Sequence, residues 1–102
     1  MSPVTREQIL ELLQTNTSLA GVDLGGANLE WINLSGVNLH RANLWGARLN
    51  KANLEGADLS NANLRGANLH HADLKGVDLN NTNLQGVNLT EADLEGAHLV
   101  TD

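Results

Sequence analysis

The sequence predicts an all-β solenoid, a coil of square cross-section about four turns long that a short N-terminal α-helix closes at one end. Three observations predict it. Leucine occupies every fifth position from Leu19 to Leu99, seventeen times without a break. Asn or Asp precedes that leucine in fourteen of the seventeen repeats, the exceptions being Ser18, Arg48 and His98, and a small or β-branched residue stands two before it. Gly follows alternate leucines by two, from Gly26 to Gly96.

The helix comes first. Residues 1–16 read as a capping helix and linker, ahead of a coil over 17–102. In MSPVTREQILELLQ, Pro3 suits a first helical turn, and Thr5 with Gln8 has the spacing of a capping box. Ile9, Leu10, Leu12 and Leu13 then form an apolar stripe. The first coil of a solenoid exposes a core edge, so this helix reads as a lid; a partner-binding helix is the functional alternative.

The coil follows from the period. Five residues turn an α-helix by about 500°, so successive leucines would step by about 140° and never share a face. In a flat strand an odd period sends them to alternate sides. The chain must therefore bend once per repeat, and four bends of about 90° close a square whose coils stack at about 4.8 Å. The expected core is Leu24, Leu29, Leu34, Leu39, Leu44, Leu49, Leu54, Leu59, Leu64, Leu69, Leu74, Leu79, Leu84, Leu89 and Leu94, with a small or β-branched residue, mainly Ala or Val, beside each. Cys, Phe and Tyr are absent and Trp31 and Trp45 are the only aromatic residues besides histidine, so that core must be aliphatic. Asn and Asp before each leucine should bond nearby backbone.

Ala52-Asn53-Leu54-Glu55-Gly56 and its neighbours, an A[N/D]Lxx pattern running from about Ser18 to Thr101, resemble the pentapeptide-repeat family. Their short, regular form is similar to members abundant in cyanobacteria. The resemblance implies a right-handed quadrilateral β-helix.

Corners and the far end complete the reading. A type II turn needs positive φ at its third residue, where Gly is favoured. Two opposite corners should then be Gly-bearing type II turns; the other two, with Trp31, Arg41, Lys51, Asn61, His71, Asn81 and Glu91, should differ. The alternative is that Gly merely keeps two corners slim. Beyond Leu99 stand Val100, Thr101 and Asp102, which leaves Leu84, Leu89, Leu94 and Leu99 without a cover and predicts an end-to-end homodimer.

Composition narrows the function. A net charge of −6 argues against direct binding of nucleic acid or anionic membrane. No apolar run approaches the roughly 20 residues of a membrane span, and Glu7 and Glu11 interrupt any signal-peptide pattern, so a cytoplasmic location is expected. Stacking aligns Asn38, Asp58, Asp78 and His98, where repulsion between carboxylates should raise one pKa. A flat wall lacks a cleft, so a structural ladder is the better reading of that column. His70 and His71 are adjacent and His40 lies on another side, so they do not converge on a metal. There is no GxGxxG, no P-loop and no serine with an evident base.

The expectation is a non-catalytic structural or protein-binding module with no catalytic residue, cofactor or metal. The candidate partner surface is Glu55, Lys75, Glu95, Asp73 and Asp93, with Trp31 and Trp45 at other corners. Trp31 stacks under Lys51 and Trp45 under Arg65, which predicts two cation–π pairs; a platform for bases or sugars is the functional alternative. The resemblance also implies a second function, that of a DNA mimic modulating DNA gyrase, and a metal or ligand binder comes last. The most acidic side nets only −3, against roughly 12 charges on about 20 Å of duplex. Gyrase-binding members also tend to be longer, with a C-terminal dimerising helix missing here.

Overall fold

The computed structural model describes residues 4–15 and 17–100; Pro3, Thr101 and Asp102, which entered the sequence reading, lie outside them. Helix α1 spans Arg6–Gln14. Thr5 caps it, its hydroxyl accepting from the Gln8 N–H at 3.1 Å while the Gln8 side chain accepts from the Thr5 N–H at 2.9 Å. The capping box satisfies two amide donors that a helix start otherwise leaves open. Ile9 is fully buried and Val4, Leu12 and Leu13 pack half-buried on the core, whereas Leu10 is exposed, so the apolar stripe is narrower than expected. Arg6 Nη1 donates to the Asn28 carbonyl at 3.0 Å, tying α1 to the first coil. The helix is a lid.

Beyond α1, parallel bridges join residues twenty apart, from Asp23↔Asn43 to Asp78↔His98. The ladder repeats without variation: the Leu24 N–H donates to the Asn43 carbonyl at 2.7 Å, and the Asn43 N–H to the Val22 carbonyl at 3.0 Å. Four leucines per coil define four walls. Wall 1 carries Leu19, Leu39, Leu59, Leu79 and Leu99; wall 2 carries Leu24, Leu44, Leu64 and Leu84; wall 3 carries Leu29, Leu49, Leu69 and Leu89; and wall 4 carries Leu34, Leu54, Leu74 and Leu94.

Every corner is closed by a bond from the third residue after the leucine back to the leucine carbonyl, as from Ala57 N–H to Leu54 O at 2.9 Å. The residue before it holds positive φ, 71° at Gly56 and 64–74° at the other corner glycines. The other corners do not differ, which corrects the expectation: Trp31, Arg41, Lys51, Asn61, His71, Asn81 and Glu91 adopt φ of 58–62° or 63° as well. Positive φ at the third residue alone is the sign pattern of a type II turn. Closing the square needs the same bend four times, so the fold imposes it on side chains that disfavour it. A Cβ added at Gly56 would meet nothing within 4 Å. Gly56→Ala should therefore cost only the backbone strain, about 1 kcal/mol, as a small drop in the urea midpoint with unchanged m-value.

The residue before the leucine has a defined task. In all fourteen Asn/Asp repeats its side-chain oxygen accepts from the N–H two residues on, at 2.9–3.0 Å, 3.1 Å or 3.2 Å. That bond satisfies a corner amide that faces neither core nor ladder.

Leu19 through Leu79 are buried, none more than 3% exposed. The core thins at the far end, which corrects the expected list. Leu84 and Leu89 are half-buried, while Leu94 is 41% exposed and Leu99 54%. Each inner leucine is covered by the coil above it, and among the described residues no coil lies above these. Thr82, the one buried polar side chain among them, donates to the Leu59 carbonyl at 2.8 Å.

Candidate functional site

All candidate residues project outward from walls or corners. On wall 4, Lys75 Nζ lies 2.9 Å from Asp73, 3.6 Å from Asp93 and 3.8 Å from Glu55. The Lys75 ammonium and amide hold the Asp73 carboxyl below the usual carboxylate range, and Asp73 in turn raises Lys75. Glu95 lies exposed on the same wall, its amide bonded to Asp93. The structure thus brings four of the five charged candidates into one cluster, in which the lysine is shared among acids.

Wall 1 holds a chain of hydrogen bonds that column reading missed. Ser60 Oγ donates to Asp58 Oδ1 at 2.5 Å, and His40 Nδ1 lies 2.8 Å from the same Oγ. The signal is present in the sequence, but it needs two spacings at once: two residues from Asp58 to Ser60, twenty from His40 to Ser60. The Ser60 hydroxyl and amide, not a second carboxylate, dominate at Asp58 and lower its pKa; the rise expected from stacking on Asp78 does not occur there. A serine whose proton rests on a carboxylate of lowered basicity is a poor nucleophile, and the wall offers no enclosed space for a substrate.

These carboxylates give a signed pH dependence. Asp58, Asp73 and Glu30 all have lowered folded pKa values, so their stabilisation is present above the unfolded carboxylate range near ~4 and is lost as pH falls through the folded values. Lys75 works oppositely, its contribution being lost only as pH rises through its raised value. Thermal melts should show a fall in Tm below about pH 4, smaller in Asp58→Asn. An unchanged acid slope in that variant would refute the assignment to Asp58.

Walls 2 and 3 and their corners carry the aromatic residues. Trp31 is 70% exposed, with Lys51 Nζ 4.9 Å from its ring centroid. Trp45 is 57% exposed, and among the described residues no cation lies over its ring; the expected Arg65 contact is not formed. Arg65 and Trp45 share the position next to the leucine, and stacking fixes their backbones one coil apart without fixing their rotamers. On wall 3, Arg48 bridges Glu30 at 2.8 Å and with Asn50 holds that carboxyl below its usual value. At the next corner His71 pairs with Glu91 at 2.6 Å and meets His70 edge to face at 4.1 Å. Among the described residues no three His, Cys, Asp or Glu side chains converge as metal ligands. A depression between α1 and the coil, lined by Leu13, Thr17, Ser18, Ser35, Gly36, Val37 and Asn38, contains no titratable side chain.

Comparison with known proteins fits this geometry. Residues 15–50, 38–76 and 62–100 match the family model described as pentapeptide repeats, in 8 copies. The crystal structure of alr5209, a pentapeptide repeat protein from Nostoc PCC 7120, superposes with a TM-score of 0.88 at 32% identity, over 98% of this chain and 100% of that one. A pentapeptide repeat protein of the Arabidopsis thaliana thylakoid lumen is 38% identical, with a TM-score of 0.46 over 85% of this chain and 58% of its own. QnrB1, a plasmid-mediated fluoroquinolone resistance protein, is 26% identical, with a TM-score of 0.45 over 83% of this chain and 49% of its own. This chain thus spans half to three fifths of the latter two. No curated protein matches it. With the repeat model matched from residue 15 to 100 and a like-sized structure aligned along the whole coil, the chain belongs to the pentapeptide-repeat family.

Proposed function

We propose that this protein is a non-catalytic interaction module whose rigid walls present side chains to a protein partner. One observation carries the reading: Trp31 and Trp45 stand outside, 70% and 57% exposed, around an interior of aliphatic side chains and Thr82. Exposed tryptophan on a rigid surface is a hallmark of binding hot spots. A right-handed winding of about four turns belongs to the same proposal: the twenty-residue spacing of the bridges supports the size of each turn, and membership of the pentapeptide-repeat family supports the hand. So does a cytoplasmic setting; among the described residues no helix is long and apolar enough to cross a membrane.

The gyrase-directed DNA mimic is the weaker reading. A mimic needs a dense, regular line of negative charge. Wall 4, the most acidic, is interrupted by Lys75 at the centre of its cluster. A supercoiling assay should show no inhibition at stoichiometric amounts.

A second copy is proposed at the open coil edge. Leu94, Leu99 and Val100 are exposed there, and the Leu84, Leu89 and Leu94 N–H groups have no backbone acceptor among the described residues. Two such edges meeting antiparallel would pair each leucine N–H with the carbonyl two residues before the partner's leucine. The molecule's two shorter extents are 24 and 23 Å, so end-to-end pairing would cover at most about 1,100 Å² in all, close to the lower bound for a specific interface. Light scattering should show a dimer that Leu94→Lys converts to monomer; a monomer at high concentration refutes it.

The module reading itself is tested by photocrosslinking in the native cell, with benzoylphenylalanine placed in turn at Trp45, Lys51, Arg41 and Lys75. A discrete adduct from at least one wall is expected. Silence from all four overturns the reading.

A further inference from the structure

We infer that wall 3, with the corners that enter and leave it, is a docking surface for an acidic protein segment. The inference rests on the module reading above and adds the chemistry of the partner.

Charge is segregated. Of six basic residues, Arg48 lies at the centre of wall 3, Arg65 and Lys51 at its flanking corners, and Arg6 at its rim, bonded to Asn28. Of twelve acidic residues, Glu30 alone shares the first three coils of this surface. That patch nets +3 in a chain of net −6, so everything else nets −9. The other two basic residues lie elsewhere, Lys75 enclosed by carboxylates. Glu91, further along the Lys51 corner, is paired with His71.

The aromatic residues keep the same company. Trp45 stands at the corner leading into wall 3 and Trp31 at the corner leaving it, both exposed. Arg48 keeps 57% of its side chain exposed despite its bond to Glu30, which leaves guanidinium donors for an incoming carboxylate.

Arg48 also breaks the rule of its own position. It is the one interior repeat without Asn or Asp before the leucine, and it forgoes the bond that all fourteen of those residues make to the amide two residues on. In place of that bond Arg48 has an ion pair with Glu30 at 2.8 Å, which at an exposed site contributes little, so this position keeps an outward cation where the others keep a backbone bond.

The occupant follows from the extent of the patch. A long polyanion such as nucleic acid would run off one wall onto surfaces of net −9. A short acidic segment carrying an apolar side chain meets Arg48, Lys51 and Arg65 with its carboxylates and a tryptophan with its apolar group.

Tryptophan fluorescence of the full chain, titrated at low salt with a soluble peptide of glutamates interspersed with leucines, tests this. A saturable spectral shift is expected, absent with the peptide in which Gln replaces every Glu. Arg48→Asn with Lys51→Gln should weaken binding about tenfold, while Arg41→Gln leaves it unchanged. Arg48→Asn restores the consensus bond while losing the exposed bridge to Glu30, so its melting point should not fall, which separates lost binding from lost fold. Equal binding of the Gln peptide, unchanged affinity in the wall 3 variants, or no shift at all overturns the inference. In the cell, crosslinking from Lys75 or Arg41 but not from Lys51 or Trp45 overturns it and leaves the module standing; silence everywhere removes both.

Discussion

Leu59→Ala is expected to destabilise the fold by on the order of 4 kcal/mol. Leu59 is fully buried, with Leu39 and Leu79 on the same wall in the coils to either side, and those are buried too. Deletion removes its transfer free energy and opens a cavity. How far a cavity closes depends on what can move into it. Here the ladder fixes the neighbouring coils: Leu39 N–H donates to Asp58 O at 2.8 Å and Leu59 N–H to Asp78 O at 2.9 Å. Closing the hole would stretch these bonds, so the loss should fall at the upper end of the usual range. Leu94 supplies the contrast. At 41% exposure its truncation should cost only about 1 kcal/mol. Urea unfolding of both variants decides the matter, and equal losses would mean that the interior is not a packed stack.

Much of this architecture was legible because it repeats. Leu59 is buried for the same reason as Leu54 and Leu64, and seventeen instances of one pattern leave little room for a different backbone. The role of Asn53 or Asn63 was equally readable, since a short amide side chain beside a turn has few alternatives to the nearby N–H. What failed to show was whatever the square imposes against local preference. Nothing about Lys51 or Glu91 suggests a φ of 63° or 59°. Coil closure requires it, and a tertiary constraint of that kind outweighs the preference of one residue.

Side-chain pairing was half legible. The twenty-residue column placed Lys51 next to Trp31 correctly, yet the same logic failed for Arg65 and Trp45. A column states which backbones are neighbours and says nothing of rotamers. The residue just after the leucine can bond within its own repeat, as Ser60 does to Asp58 and Lys75 to Asp73, or reach the next coil, as His40 does to Ser60. The His40–Ser60–Asp58 chain uses both spacings, which is why neither alone shows it. Net charge hid the basic wall in the same way, because a total of −6 averages over faces that differ in sign.

Ala57→Leu is expected to cost about 2–3 kcal/mol, and Ala57→Val under about 1 kcal/mol. Ala57 is 1% exposed and stacks between Val37 and Val77, the latter fully buried. The Asp58 N–H bonds Val37 O at 3.1 Å, and the Asp78 N–H bonds Ala57 O at 3.1 Å, so spacing along this column is set by backbone. A β-branched side chain keeps its volume close to the backbone, and valine already occupies the positions above and below. Leucine instead carries its branch inward, into space that Leu54 and Leu59 fill at zero exposure. Nothing there can withdraw to solvent, so the added volume must open the ladder. The distinguishing readout is hydrogen exchange at the Asp78 amide, which should lose protection in Ala57→Leu and keep it in Ala57→Val. If leucine is tolerated as well as valine, the interior has slack, and the large loss expected for Leu59→Ala fails with it.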